Sequence, residues 1–140
     1  MELHRRAQPQ QKWIVVDPRR IDLVQSPHIR AAHHLPLRPG TNVAFINAMA
    51  HVIVSEGLQD REFIARRCDQ ASFHEWLEFI RDPRHAPEQV AEVTGIDPEA
   101  LRAAARLYAT GGNGAIYYGL GFWVLLCFAN NAKQFIYFQF

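Results

Sequence analysis

Two short stretches carry residue types that could hold a nucleotide. The first, Lys12-Trp-Ile-Val-Val-Asp-Pro-Arg19, is an apolar, β-branched run that closes on a carboxylate, a proline and a guanidinium. Such a run reads as a buried strand with polar groups at its carboxyl end. The second, Leu37-Arg-Pro-Gly-Thr-Asn42, is a turn that delivers the chain into a helix beginning near Thr41. In open α/β sheets, ligands collect outside the carboxyl ends of strands, beside helix N-termini whose free N–H groups attract anions. The pattern points to a nucleotide-like cofactor without naming one.

The elements that must position these turns alternate between the two periods. Residues 13–16 form a first strand, stopped by Pro18, and residues 33–37 a second short one. Between them, residues 20–32 are ambiguous, with Pro27 arguing for a loop. Val43, Phe45, Ile46, Met49, Val52 and Ile53 recur at helical spacing, with Thr41 as N-cap and Gly57 as left-handed stop. A second helix covers residues 61–67, capped by Asp60. Ser72 with Glu75 forms a capping-box pattern opening a helix through Ile80, with Phe73, Trp76, Leu77 and Ile80 on one face as core. Pro87 starts a short helix that Gly95 ends. Asp97-Pro98 gives the strongest start signal, for a helix reaching about Ala109. Residues 115–118 read as a last strand. The order predicts an α/β fold, a partial Rossmann-like doubly wound unit with a mostly parallel sheet and several helices.

Bulk properties narrow the partners. At 140 residues the chain is long enough for one domain with a sizeable core. A net charge of +1, with no pooled basic patch, gives no reason to invoke nucleic acid. Two cysteines, Cys68 and Cys127, are too few for a disulfide scaffold or structural zinc, so a reducing, cytoplasmic setting is the default. No apolar run approaches the roughly 18 residues of a membrane span, and residues 1–11 form a polar extension without a secretory core.

Some features read more simply as structure than as chemistry. His33 and His34 are adjacent, so a strand would point them to opposite faces, and His51 packs along its helix. No HExxH-type spacing exists, and no metal site is expected. Residues 111–114 are glycine-rich but precede a strand, which makes them a loop rather than a phosphate cradle.

Taken in order, Ile14-Val-Val-Asp-Pro-Arg19, Leu37-Arg-Pro-Gly-Thr-Asn42, Asn47-Ala-Met-Ala-His-Val-Ile53, Glu56-Gly-Leu58 and Phe63-Ile-Ala-Arg66 form a recognisable series. It continues through Val93-Thr-Gly-Ile96, Ala103-Ala-Ala-Arg-Leu-Tyr-Ala109 and Tyr118-Gly-Leu-Gly121. The series resembles the alpha subunit of molybdenum- or tungsten-dependent formate dehydrogenases, in the molybdopterin oxidoreductase superfamily, over about residues 12–121. The resemblance implies a Rossmann-like domain that binds the guanosine portion of a molybdopterin guanine dinucleotide. It matches Asp17, Pro18 and Arg19 to the first guanosine-contacting turn, and Gly40, Thr41 and Asn42 to the second. A carboxylate can accept from both ribose hydroxyls or from paired guanine N–H groups. Gly40 lets backbone approach the ligand, and the helix beginning at Asn42 favours a nearby phosphate. Many superfamily members carry aspartate where this chain has Asn42; an amide cannot receive two N–H donors together but can meet the guanine carbonyl.

The family also holds an iron–sulfur cluster on four cysteines and a cysteine or selenocysteine on the metal. This chain has neither motif, so no residue is assigned as catalytic or as a metal ligand, and the chain alone is expected to be inactive. Residues 122–140, rich in aromatics, read as foreign to the family, a frameshifted or truncated end, and the chain as a fragment. The resemblance implies oxidation of formate to carbon dioxide by the whole enzyme, with other regions or subunits of a formate dehydrogenase complex as partners. Two other readings stand beside it: a free-standing nucleotide-binding or interaction module without redox chemistry, and a piece of another superfamily member such as a nitrate reductase.

Overall fold

The structure is a computed structural model that describes residues 12–22, 24–27 and 30–111. The β-branched run forms strand β1, Ile14–Val16, which pairs in parallel with β2, His33–Leu35. The register sets Ile14 against His33, Val15 against His34 and Val16 against Leu35. The second strand is shorter than the sequence pattern predicts. Pro36 has no N–H to give the ladder, and the amide of Leu37 turns back onto the carbonyl of Leu35 at 2.8 Å. Residues 20–22, 24–27 and 30–32 run as loop, with one isolated antiparallel bridge between Gln25 and Arg30.

Five helices follow: α1 Asn42–Ser55, α2 Arg61–Arg67, α3 Gln70–Arg81, α4 Pro87–Thr94 and α5 Pro98–Thr110, with a 3₁₀ turn at Pro83–His85. The caps explain most of the boundaries. The Asp60 carboxylate accepts from the Phe63 amide at 2.8 Å, and that of Asp97 from the Ala100 amide at 2.9 Å. Proline occupies the start of α4 and of α5, where its missing N–H removes nothing from the helix. Two N-cap expectations are corrected. Helix α3 opens at Gln70 rather than at Ser72, because the Asp69 carboxylate takes both the amide and the hydroxyl of Ser72, at 2.9 and 2.8 Å. Thr41 does not cap α1 with its side chain; its hydroxyl donates to the Arg38 carbonyl at 2.7 Å.

Helix α1 is the central beam, packed against α3, α4 and α5, while α5 also covers β2. Phe45, Ala48 and Val52 of α1 share one core with Leu35 of β2, Val90 of α4 and Leu101 of α5. Two expectations about faces fail. Of the α3 stripe, Ile80 alone is buried, at 0%, while Trp76 is 41% exposed and stacks on Phe73 with ring centres 5.7 Å apart. On α1, Val43 and Ile46 are 72% and 61% exposed, because the helix is apolar all round and the described residues cover only part of it. His51 does not lie along its own helix either: its Nδ1 donates to the Ile80 carbonyl of α3 at 2.7 Å. The predicted strand at residues 115–118 and the tail at 122–140 lie outside the described residues. What is described is a mixed α/β arrangement around a two-stranded parallel sheet.

Candidate functional site

The parallel register settles where the two turns begin. Val16 and Leu35 are paired, so Asp17 leaves the sheet at the same edge from which residues 36–42 depart. Asp17 is bonded within its own turn. It accepts from the Arg19 amide at 2.8 Å, from Nε at 3.1 Å and from Nη2 at 3.3 Å. The Arg19 side chain on Asp17 holds the carboxyl below its ordinary range, with the backbone bond adding to the effect. Pro18 and Arg19 are exposed. The turn therefore presents an ionised carboxylate partly occupied by its neighbour, with lone pairs left for a further donor.

His34 completes this corner. Its Nε2 donates to the Asp17 carbonyl at 2.9 Å, tying the end of β1 to β2. The sequence reading assigned no role to His34, and a side chain reaching seventeen residues back leaves no local signature.

The second turn is a type II β-turn. Pro39 stands at its second position, Gly40 at its third with φ +83°, and the Thr41 amide donates to the Arg38 carbonyl at 3.3 Å. Gly40 has nothing within 4 Å of where a Cβ would stand, so its surface is open to a ligand. Asn42 is exposed and begins α1. Because Thr41 turns back to Arg38 and the first turn of α1 has no acidic residue, the N-terminal amides of α1 keep no side-chain acceptor. By contrast, aspartates cap α2, α3 and α5. An uncapped N-terminus of this length is a positive pole suited to an anion.

An open cleft of about 440 Å³ lies beside the second turn, walled by Gly40, Thr41, Asn47, Arg84, His85 and Val93 among others. A second hollow of about 540 Å³ is lined by residues 20–22 and 24–27, beyond the first turn. His85 is 8% exposed and its Nε2 has no hydrogen-bond partner; burial, then the charge of Arg84, pushes its pKa down. Neither His85 nor Arg38, which anchors the turn from behind, was singled out from the sequence. Among the described residues no group of three or more His, Cys, Asp or Glu side chains is placed to hold a metal ion. No helix among them is long and apolar enough to cross a membrane.

The site is thus two turns at one edge of a parallel strand pair, the second opening on an uncapped helix, in a mixed α/β scaffold. No protein-family model matches the chain. Known proteins do. Formate dehydrogenase H of Escherichia coli (strain K12) is 38% identical over 110 residues, covering 79% of this chain and 14% of that protein. A nitrate reductase of Symbiobacterium thermophilum is 41% identical over 101 residues, covering 68% of this chain and 13% of the relative. Among solved structures, acetylene hydratase from Pelobacter acetylenicus superposes with a TM-score of 0.63 at 38% identity, over 72% of this chain and 13% of that one. The chain belongs with the formate dehydrogenase alpha subunits and related molybdopterin oxidoreductases, and is homologous to one segment of them. It spans about one seventh of the length of these relatives.

Proposed function

We propose that this chain supplies one side of the guanosine-binding site of a molybdopterin guanine dinucleotide, in an oxidoreductase of the formate dehydrogenase type. Asp17, Pro18 and Arg19 form one wall, with the Asp17 carboxylate accepting from the ribose hydroxyls or from guanine N–H groups. Gly40, Thr41 and Asn42 form the other, with the α1 amides directed at phosphate oxygen and the Asn42 amide at the guanine carbonyl. The observation that carries the reading is the uncapped α1 N-terminus, entered through an open positive-φ glycine at the edge where Asp17 also emerges.

The described residues fit the nucleotide end of such a cofactor and offer no set of ligands for its metal or for an iron–sulfur cluster. When bound in the whole enzyme, the cofactor supplies two-electron chemistry at its metal, the oxidation of formate to carbon dioxide. This chain's part is to bind and orient. The two strands here become the start of a Rossmann-like, mostly parallel sheet when the rest of a full-length subunit is present, and other regions or subunits of a formate dehydrogenase complex are the partners. Formate dehydrogenase, nitrate reductase and acetylene hydratase each match two thirds or more of this chain, which favours a shared cofactor role over a role in choosing the substrate.

Titration of the 140-residue chain with GDP and ADP, followed by calorimetry, tests this. GDP is expected to bind weakly, since much of the enclosing surface belongs to the rest of the enzyme, and more tightly than ADP. The substitution Asp17→Ala is expected to weaken GDP binding. Equal response to both nucleotides, or indifference to Asp17→Ala, refutes the assignment.

A further inference from the structure

We propose that Arg38 is a positioning residue, which fixes the Gly40-Thr41-Asn42 turn by locking it to the carboxyl end of α4. The role of that turn rests on the nucleotide-binding reading above; the clamp itself rests on geometry. A helix leaves its last carbonyls without internal partners, and cations are favoured there. At the end of α4 three of those carbonyls are taken. The Gly95 amide donates to Ala91 at 2.8 Å, the Arg38 amide donates to Thr94 at 3.0 Å, and the Arg38 Nη1 donates to Glu92. Two of the three donors come from one residue fifty-four positions upstream of Glu92.

The same residue holds the turn with its remaining main-chain group. The Arg38 carbonyl accepts both the Thr41 amide, at 3.3 Å, and the Thr41 hydroxyl, at 2.7 Å. Arg38 is therefore bonded to α4 on its N–H and guanidinium side and to the turn on its C=O side. Thr41 makes no side-chain bond to the α1 amides, and its hydroxyl is held on the Arg38 carbonyl instead. Clamp and open anion pole are one arrangement.

Gly95 is the other half of the device. It sits at φ +75°, and a Cβ there would stand 3.0 Å from Arg38 Nε, 3.2 Å from Cγ and 3.4 Å from Cδ. A side chain there would crowd the arginine stem and would have to hold a backbone conformation that residues other than glycine rarely adopt. This assigns a reason to Arg38 and Gly95 appearing together, although each alone reads as a surface cation and a helix stop.

Amide hydrogen exchange on the 140-residue chain tests the clamp without any ligand. Arg38→Met keeps the stem and the main-chain amide bond to Thr94 and removes the guanidinium bond to Glu92. It is expected to speed exchange at the Thr41 amide at least about tenfold, since a local opening needs no global unfolding. Arg38→Lys, which restores one donor and the charge, is expected to fall between Met and wild type. Gly95→Ala, which pushes on the stem from the other side, is expected to speed Thr41 as well. Where GDP binds the wild-type chain, Arg38→Met is expected to weaken it about fivefold, the cost of re-ordering the turn on binding. If Arg38→Met accelerates the Gly95 amide alone and leaves Thr41 at its wild-type rate, Arg38 is a helix cap only and the proposal is overturned. Faster Thr41 exchange with unaltered GDP affinity overturns it too. Failure of the wild-type chain to bind GDP removes the nucleotide reading, and the Thr41 rates then decide the clamp by themselves.

Discussion

Replacing Thr94 with valine tests whether the joint behind the second turn hangs on one hydroxyl. Thr94 is fully buried; its Oγ donates to the Val90 carbonyl at 2.8 Å and accepts from the Ile96 amide at 3.3 Å. Valine keeps the shape and exchanges the hydroxyl for a methyl. The Val90 carbonyl retains the helical amide four residues on, but the Ile96 amide, beneath a residue only 2% exposed, has nothing in its place. A buried donor left unpaired costs about 1–3 kcal/mol, and the added methyl returns about 0.8 kcal/mol, for a net loss of about 0.2–2 kcal/mol. With a urea slope near 2 kcal/mol/M, the unfolding midpoint falls by about 0.1–1 M. The measurement is urea unfolding followed by circular dichroism, with amide exchange at Ile96 as the second readout. Thr94→Ser keeps the hydroxyl, so it should leave Ile96 protected even though it loses a buried methyl. A Thr94→Val midpoint at or above wild type, or faster Ile96 exchange in the serine variant, refutes the reasoning.

Two further outcomes follow from burial. Ile80 is 0% exposed at the end of α3, and Ile80→Ala should cost about 2–5 kcal/mol by the same urea assay, whereas truncation of its half-exposed neighbour Trp76 should cost far less. His85 gives a pH dependence of definite sign. Burial first, then the charge of Arg84 and the nearby His51, hold its pKa below the ordinary 6.5, while Asp82 pulls the other way. Its neutral form is therefore favoured in the fold. Stability is fully present above about pH 6.5, where the unfolded chain's histidine is also neutral, and declines as pH falls toward the depressed folded value. His85→Phe should flatten that part of a plot of thermal midpoint against pH. An unchanged slope would show that another group is responsible.

Much of this arrangement was legible because its signals are local. Pro39-Gly40 announces a type II turn, and Asp60, Asp97 and Gly95 mark helix ends, since each acts on backbone groups two to four residues away. The first strand was legible from its β-branched run, and the common end at which Asp17 and residues 36–42 leave the sheet followed from reading both segments as strands of a parallel sheet. What escaped was of two kinds. Ser72-Glu75 matched a capping box, yet Asp69 caps three residues earlier by accepting from the Ser72 amide, so the helix is already under way at Ser72. Apolar spacing on α1 and α3 shows that a face can be buried, not that something covers it, and Val43, Ile46 and Trp76 are exposed. His34, His51 and Arg38 act across 17, 29 and 54 residues, and no window of sequence contains both partners.

The reach of Arg38 also orders events in time. Closing a chain segment of that length costs entropy before any contact rewards it, so local turns and helices form ahead of such a closure. Arg38 can engage Glu92 and Thr94 only after α4 exists and has docked on α1. The Gly40 turn forms from its own Pro-Gly sequence but gains its anchor only with α4, and a nascent chain that has not yet emerged past Gly95 holds Gly40 and Thr41 without it.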